Sequence, residues 1–259
     1  MEPIRYAGKE MRNVILDRLT DLERQFDVKI LLACESGSRA WGFASPDSDY
    51  DARFIYVHKK DYYLSIDERP DVLGLPVDAV LDIGGWELRK ALRLFRKSNA
   101  PLYEWLQSPV VYTAQDDFMA DMTALMPRYF SPRAAMHHYL SMARGVVEYE
   151  LAAPEVRLKK YFYALRPLLA ARWIAERGTV PPLAFSQLRA SLPTALHDVI
   201  DDLLRQKAAA CEGHTVAPLP TLNEYLQAEV MLLKQAVPPA TEPMADSEPL
   251  HTLFRKYVV

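Results

Sequence analysis

The sequence predicts an α+β fold in which a small mixed-sheet domain is followed by an all-α helical domain. Two observations lead there. Short apolar runs of strand length, bounded by turn residues, are confined to the first 112 or so positions, whereas beyond Tyr112 apolar residues recur at helical steps of three and four. A chain of 259 residues, 50% hydrophobic and 25% charged, is also long enough to bury a sizeable core. The expected division is 1–112 for the sheet domain, 113–236 for the helical domain and 237–259 for a linker and tail.

Met11, Ile15, Leu19, Leu22 and Phe26 mark one face of an amphipathic helix from about residue 9 to Phe26. Val28 to Cys34 is a mostly apolar strand ending at Glu35-Ser36-Gly37-Ser38. Ser45-Pro46-Asp47-Ser48 makes a turn, because proline presets one backbone angle and aspartate and serine bond back to the main chain. Strands then follow at Tyr50 to Val57 and Pro76 to Ile83, with a helix at Trp86 to Lys97. Helical spacing continues at Asp116 to Met126, Pro132 to Leu151, Val156 to Arg177, Leu183 to Leu192 and Ala195 to Ala210. Pro167 should bend or break its helix, since it lacks an amide donor. Val237 to Pro249 reads as a mobile linker, and Leu250 to Val259 as either a docked helix or a frayed tail.

The net charge of -3 excludes a globally basic nucleic-acid coat protein but leaves room for a local basic groove. Cys34 and Cys211 are the only cysteines, so neither a disulfide framework nor a paired-cysteine zinc motif can be written. No stretch reaches the roughly 20 apolar residues that span a bilayer, and a cytoplasmic, membrane-free protein is expected.

The chemistry concentrates between Gly37 and Asp51. Gly37 removes a side chain where backbone must approach a ligand, and Ser38 can open a helical turn with free amides and a hydroxyl, a combination suited to phosphate. Asp49 and Asp51, two apart on a strand, leave the same face and can converge on one hard cation. Magnesium, with manganese as an alternative, prefers such oxygen ligands together with substrate phosphates. Asp47 reads as a turn residue. An Asp-x-Asp pair or a Gly-Ser alone is weak, but strand end, Gly-Ser and Asp-x-Asp together make a specific constellation.

This Gly37-Ser38 and Asp49-x-Asp51 signature resembles that of the polymerase-beta nucleotidyltransferase superfamily. More narrowly, the chain resembles the bacterial and phage nucleotidyltransferases associated with RNA repair and RNA ligases. Further marks are Gly84-Gly85-Trp86-Glu87-Leu88-Arg89-Lys90-Ala91-Leu92, Lys97-Ser98-Asn99-Ala100-Pro101 with Glu104-Trp105-Leu106 and Ser108-Pro109, and Lys159-Lys160-Tyr161-Phe162-Tyr163-Ala164-Leu165-Arg166-Pro167. The family often has Asn-Pro where this chain has Asn99-Ala100-Pro101. The resemblance implies a catalytic domain whose nucleotide cleft is completed by the helical half, a nucleoside triphosphate substrate and an acceptor hydroxyl on RNA or tRNA. Protein nucleotidylation, with AMP or UMP transferred, and a non-catalytic nucleotide-binding regulator or toxin-system component are the alternatives. It also implies a third carboxylate beside Asp49 and Asp51. Alternation cannot choose between Asp78 and Asp82, four apart, and the spacing to Leu88-Arg89-Lys90 resembles the family pattern for Asp82.

Arg39 could grip triphosphate oxygens with its planar fork, a surface ion pair being the alternative. Lys159 or Lys160 can align with Tyr163 and Arg166 on one helix face, where phosphates and a base could be received; Lys160 is the first choice, and a packing stripe with solvated charges is the alternative. The nucleotide-binding set is thus Gly37, Ser38, Arg39, Lys160, Tyr163 and Arg166. Lys90, Arg93 and Lys97 could form a basic lip for RNA or simply a solvated face. The histidines show no metal-binding spacing, and Ser36 and Ser38 lack the hydrolase elbow.

Overall fold

The computed structural model describes residues 8–78, 80–239 and 246–258. Its first half contains α1 (Gly8–Phe26), β1 (Val28–Glu35), α2 (Gly37–Trp41), β2 (Tyr50–His58), α3 (Lys60–Tyr63), β3 (Val72–Gly74), β4 (Leu81–Glu87), α4 (Leu88–Arg96), α5 (Ala100–Trp105) and β5 (Val111–Ala114). The strands form one five-stranded sheet in the order β3-β4-β2-β1-β5. Only β2 and β4 run parallel, so the sheet is mixed, as expected. The apolar stripe of α1, Met11, Ile15, Leu19 and Leu22, is buried against one face of the sheet with Ile30, Ala33, Phe54 and Tyr56. On the other face, Leu32, Cys34, Ile55 and Val57 pack with Leu88, Leu92 and Phe95 of α4. Period-two alternation thus splits β1 and β2 between two apolar layers.

The third expected strand is displaced. It runs Leu81–Glu87 rather than Pro76 to Ile83, because the Asp78 carboxylate accepts the amides of Val80 (2.8 Å) and Leu81 (2.7 Å) and holds the chain in a turn. The strand then continues through Gly84 and Gly85, beyond the expected end at Ile83. At Gly85 a side chain is excluded by packing, since a Cβ there would lie 2.4 Å from the Phe54 ring. Neither β3 nor β5 was legible, and α2, α3 and α5, at four to six residues, are too short to show a period.

The second half comprises α6 (Asp116–Tyr129), α7 (Pro132–Gly145), β6 (Val156–Arg157), α8 (Leu158–Arg177), α9 (Phe185–Leu188), α10 (His197–Ala209), β7 (Thr215–Val216), α11 (Pro220–Gln235) and α12 (Glu248–Tyr257). α7 passes into a π-helical turn, Val146–Glu150, and β6 pairs with β7. α8 is central to this half. It is continuous through Pro167, so of the expected bend or break the break does not occur, because burial of Tyr161, Phe162, Leu165, Leu168 and Leu169 outweighs the lost helical hydrogen bond. α11 was not foreseen. Of the expected linker, residues 240–245 lie outside the described residues, and α12 docks, burying Leu250, Leu253 and Tyr257 in the same apolar cluster as α4 and α6.

Candidate active site

The parallel register of β2 and β4 sets Asp51 directly opposite Asp82. Two carboxylates on adjacent strands repel each other, and here Arg53, on the same face two residues after Asp51, lies between them. Its Nη2 donates to Asp82 Oδ2 (2.6 Å) and Asp51 Oδ1 (3.2 Å), while Nη1 donates to the main-chain oxygens of Asp82 (3.0 Å) and Ala52 (3.2 Å). Behind them Glu35, buried at the end of β1, accepts the Asp51 amide (2.8 Å) and the Tyr112 hydroxyl. Burial raises the carboxyl of Glu35 above its ordinary range. That of Asp51 is raised by burial too, the neighbouring Arg53 opposing and the charges of Asp82, Asp49 and Glu212 adding to the rise. A site crowded with negative charge and partly desolvated favours a bound cation.

Gly37 begins α2 above this pair with φ +63°, and a Cβ at that position would sit 2.4 Å from Asp51 Oδ2. Glycine is therefore required twice, by backbone conformation and by the close approach of the carboxylate. Ser38 is buried, and its hydroxyl meets that of Ser48 (3.3 Å). Arg39 folds back on the following turn, donating to the carbonyls of Ser48 (2.6 Å) and Asp49 (3.0 Å) and stacking 3.7 Å over the Tyr50 ring. Those bonds position Asp49, which is exposed beside Asp51; partial desolvation and the Glu212 charge raise its carboxyl.

The helical half reaches this turn through Glu212. Its carboxylate accepts from Ser48 Oγ (2.5 Å) and Lys159 Nζ (2.7 Å), with the buried Lys207 Nζ at 3.5 Å, and its amide donates to Asp47 (2.9 Å). Lys207 also donates to Ser45 Oγ (3.0 Å). Burial works against ionised Glu212, yet bonds from Lys159 and Ser48 and the Lys207 charge hold its carboxyl down at about 2. Tyr163 stands edge-on to Trp41 with ring centroids 6.0 Å apart. Burial and the negative charges of Glu212, Asp51 and Asp49 push its hydroxyl up to about 12.

The sequence model of an RNA repair pathway DNA polymerase beta family matches residues 11–256. The chain belongs to that family. The uncharacterized protein YcgL of Bacillus subtilis is 44% identical over 228 residues, which cover 87% of this chain and 88% of that protein. A Drosophila melanogaster protein named as a tRNA (34-2'-O)-methyltransferase regulator, WDR6, is 28% identical over 127 residues, covering 48% of this chain and 12% of that one. Among solved structures, a nucleotidyltransferase-like protein from Exiguobacterium sibiricum aligns at a TM-score of 0.31 with 11% identity, covering 86% of this chain and 74% of that one.

The residues singled out from sequence separate into groups. Gly37, Ser38, Asp49, Asp51, Asp82 and Tyr163 come together. Asp78 lies outside β4, occupied in the turn described above. Lys160 pairs with Glu150 (2.8 Å), whereas its neighbour Lys159 joins the Glu212 cluster. Arg166 is 2% exposed, ion-paired with Glu104 (2.8 Å) and 4.5 Å over the Trp41 ring, so the solvated-stripe picture of this helix face fails at that position. Glu104 also accepts from Trp41 Nε1 (3.2 Å) and the Tyr139 hydroxyl (2.9 Å), tying α2 to α5, α7 and α8.

Lys90 and Arg93 line a cavity of about 300 Å3 with Tyr62, Arg69 and Glu87. It lies at the Glu87 end of β4, five residues and roughly 17 Å along the strand from Asp82. The basic lip foreseen beside the carboxylates is thus not formed by these two side chains. Among the described residues, no three acidic, histidine or cysteine side chains already converge as a metal cage. Asp51 and Asp82 nonetheless keep one oxygen each free of Arg53, and with Asp49 they present hard oxygen donors of the kind magnesium takes. Sequence reasoning missed Arg53, Glu35, Lys207 and Glu212. Arg53 had a signal, its position two after Asp51 on a strand; Glu212, 161 positions beyond Asp51, had none.

Proposed function

We propose that this chain is a metal-dependent nucleotidyltransferase that moves a nucleoside monophosphate from a nucleoside triphosphate to an acceptor hydroxyl at the end of an RNA or tRNA. The observation that carries the reading is the pairing of Asp51 with Asp82, in register on parallel strands and directly beneath a glycine that no side chain can replace. Asp49, Asp51 and Asp82 would hold magnesium, or manganese, which when bound supplies charge neutralisation at the reacting phosphate. In the transfer, the acceptor hydroxyl releases its proton to solvent, its oxygen forms a bond to the α-phosphorus, the bond from that phosphorus to the bridging oxygen breaks, and pyrophosphate leaves with that oxygen. The chain's own residues orient the reactants. Gly37 and Ser38 leave room and donors for phosphate above Asp51, and Lys159 offers a cation from the facing helix in the place first assigned to Lys160. Tyr163 and Trp41 wall the cleft, and Arg166 contributes by fixing Trp41 through Glu104. Arg39 holds the Asp49 turn, a role compatible with a phosphate contact from its remaining donors.

The test is incubation of purified protein with each labelled nucleoside triphosphate, magnesium and RNA or tRNA. The expected result is label on RNA, sensitive to ribonuclease, and reduced at least about a hundredfold by Asp51→Asn in a folded protein. Label on protein alone would replace the RNA acceptor by a protein hydroxyl, and full activity in Asp51→Asn would remove the metal assignment.

A further inference from the structure

We infer that Arg53 is a positioning residue for the metal-binding carboxylates, one that stays in place when the cation arrives instead of making way for it. The inference rests on the reading of Asp51 and Asp82 as cation ligands. A cation lying between two carboxylates could be a placeholder occupying the metal's position. The bonds of Arg53 argue otherwise. Its guanidinium is anchored from below by two main-chain carbonyls, those of Asp82 and Ala52, which no metal would compete for. The other terminal nitrogen takes a single oxygen from each acid, Oδ1 of Asp51 and Oδ2 of Asp82. The second oxygen of each carboxylate is left over, and that of Asp51 is the atom lying against Gly37.

A planar fork bonded to four acceptors fixes the rotation of both side chains, which a lysine ammonium on a flexible stem cannot do. Two carboxylates opposed on adjacent strands would otherwise turn apart by mutual repulsion. Arg53 therefore acts as ligand-orienting partners do in metal sites generally, where removing one weakens metal affinity about 10- to 100-fold. Simple electrostatics predicts the reverse, because deleting a positive charge next to a cation site should tighten binding. The two accounts give opposite signs.

Manganese binding, followed by loss of the free-ion paramagnetic resonance signal, separates them with wild type, Arg53→Gln, Arg53→Lys and Asp51→Asn, each checked by thermal melting. Binding that is lost in Asp51→Asn and weakened about 10- to 100-fold in both arginine variants supports the inference. Equal or tighter binding in Arg53→Gln, or wild-type affinity in Arg53→Lys, overturns it while leaving the proposed site standing. Wild-type protein with no Asp51-dependent manganese binding would overturn the proposed site itself and this inference with it. A second measurement needs no variant. With diamagnetic magnesium, the Arg53 guanidinium resonances of nitrogen-15-labelled wild type should keep their protection from solvent exchange, and their loss on metal addition would show displacement.

Discussion

Glu104 and Glu212 both sit between the sheet half and the helical half, each held by basic side chains from helices, and the difference between them lies in what surrounds the ion pair. Glu104 meets Arg166 at a contact where the arginine is 2% exposed, enclosed by Trp41 and Tyr139. Glu212 meets Lys159 with both side chains roughly a quarter exposed, beside Asp49 and Ser48. The sealed pair, through the Trp41 bond to Glu104, holds α2 against α8. The open pair can exchange partners, and a triphosphate carries the same kind of charge as the carboxylate it would rival for Lys159. Lys159 and Arg166, seven apart on one helix, were thus sorted into different tasks by burial, which no spacing rule registers.

The largest effect that would break this comparison is on stability. Arg166→Ala leaves the largely covered Glu104 carboxylate without its cation, keeping only the bonds from Trp41 and Tyr139, and should cost about 3 kcal/mol, read as a lower midpoint in urea denaturation. A loss below about 1 kcal/mol would mean that the sealed node holds little together. A smaller effect belongs to Glu212, whose folded-state carboxyl lies near 2, below the ordinary 4.5. A depressed value contributes stability above the unfolded value and loses it as pH falls from about 4.5 towards 2, on the order of 2 kcal/mol once solvent screening of this partly exposed carboxylate is discounted. Glu212→Gln should flatten that acid limb of the stability profile relative to wild type, and superimposable profiles would refute the link. The finest distinction is between adjacent lysines. Lys159→Ala should weaken triphosphate binding about tenfold, roughly 1.4 kcal/mol, while Lys160→Ala, losing only an outer pair with Glu150, should change neither affinity nor stability by more than about 0.5 kcal/mol. Equal effects at the two positions in calorimetric titration would erase the sorting proposed here.

Much of the fold was legible because its signals are local. The α1 stripe, the apolar runs of β1 and β2 and the helical periods after Tyr112 each state their own burial pattern within a few turns or one strand. Errors arose where a distant residue decided. The third strand was expected to end at Ile83, whereas it continues through Gly84 and Gly85, where Phe54 needs the space, and Pro167 reads as a bend or break until the core around α8 is counted. α12 could dock or fray until α4 and α6 supplied its partner.

Of the site, the sequence by itself determined the Gly37-Ser38 turn and the closeness of Asp49 to Asp51, because chain connectivity acts over a few residues; β2 begins at Tyr50, so Asp49 precedes the strand and the period-two argument for a shared face does not extend to it. Only the tertiary structure decided that Asp82 rather than Asp78 faces Asp51, that Arg53 spans the pair, and that Glu212 and Lys159 close the site from the helical half while Arg166 is sealed away. Strand register and the burial of one ion pair but not another depend on which surfaces meet after the chain has folded. That choice is made by the whole apolar core and is written at no single position.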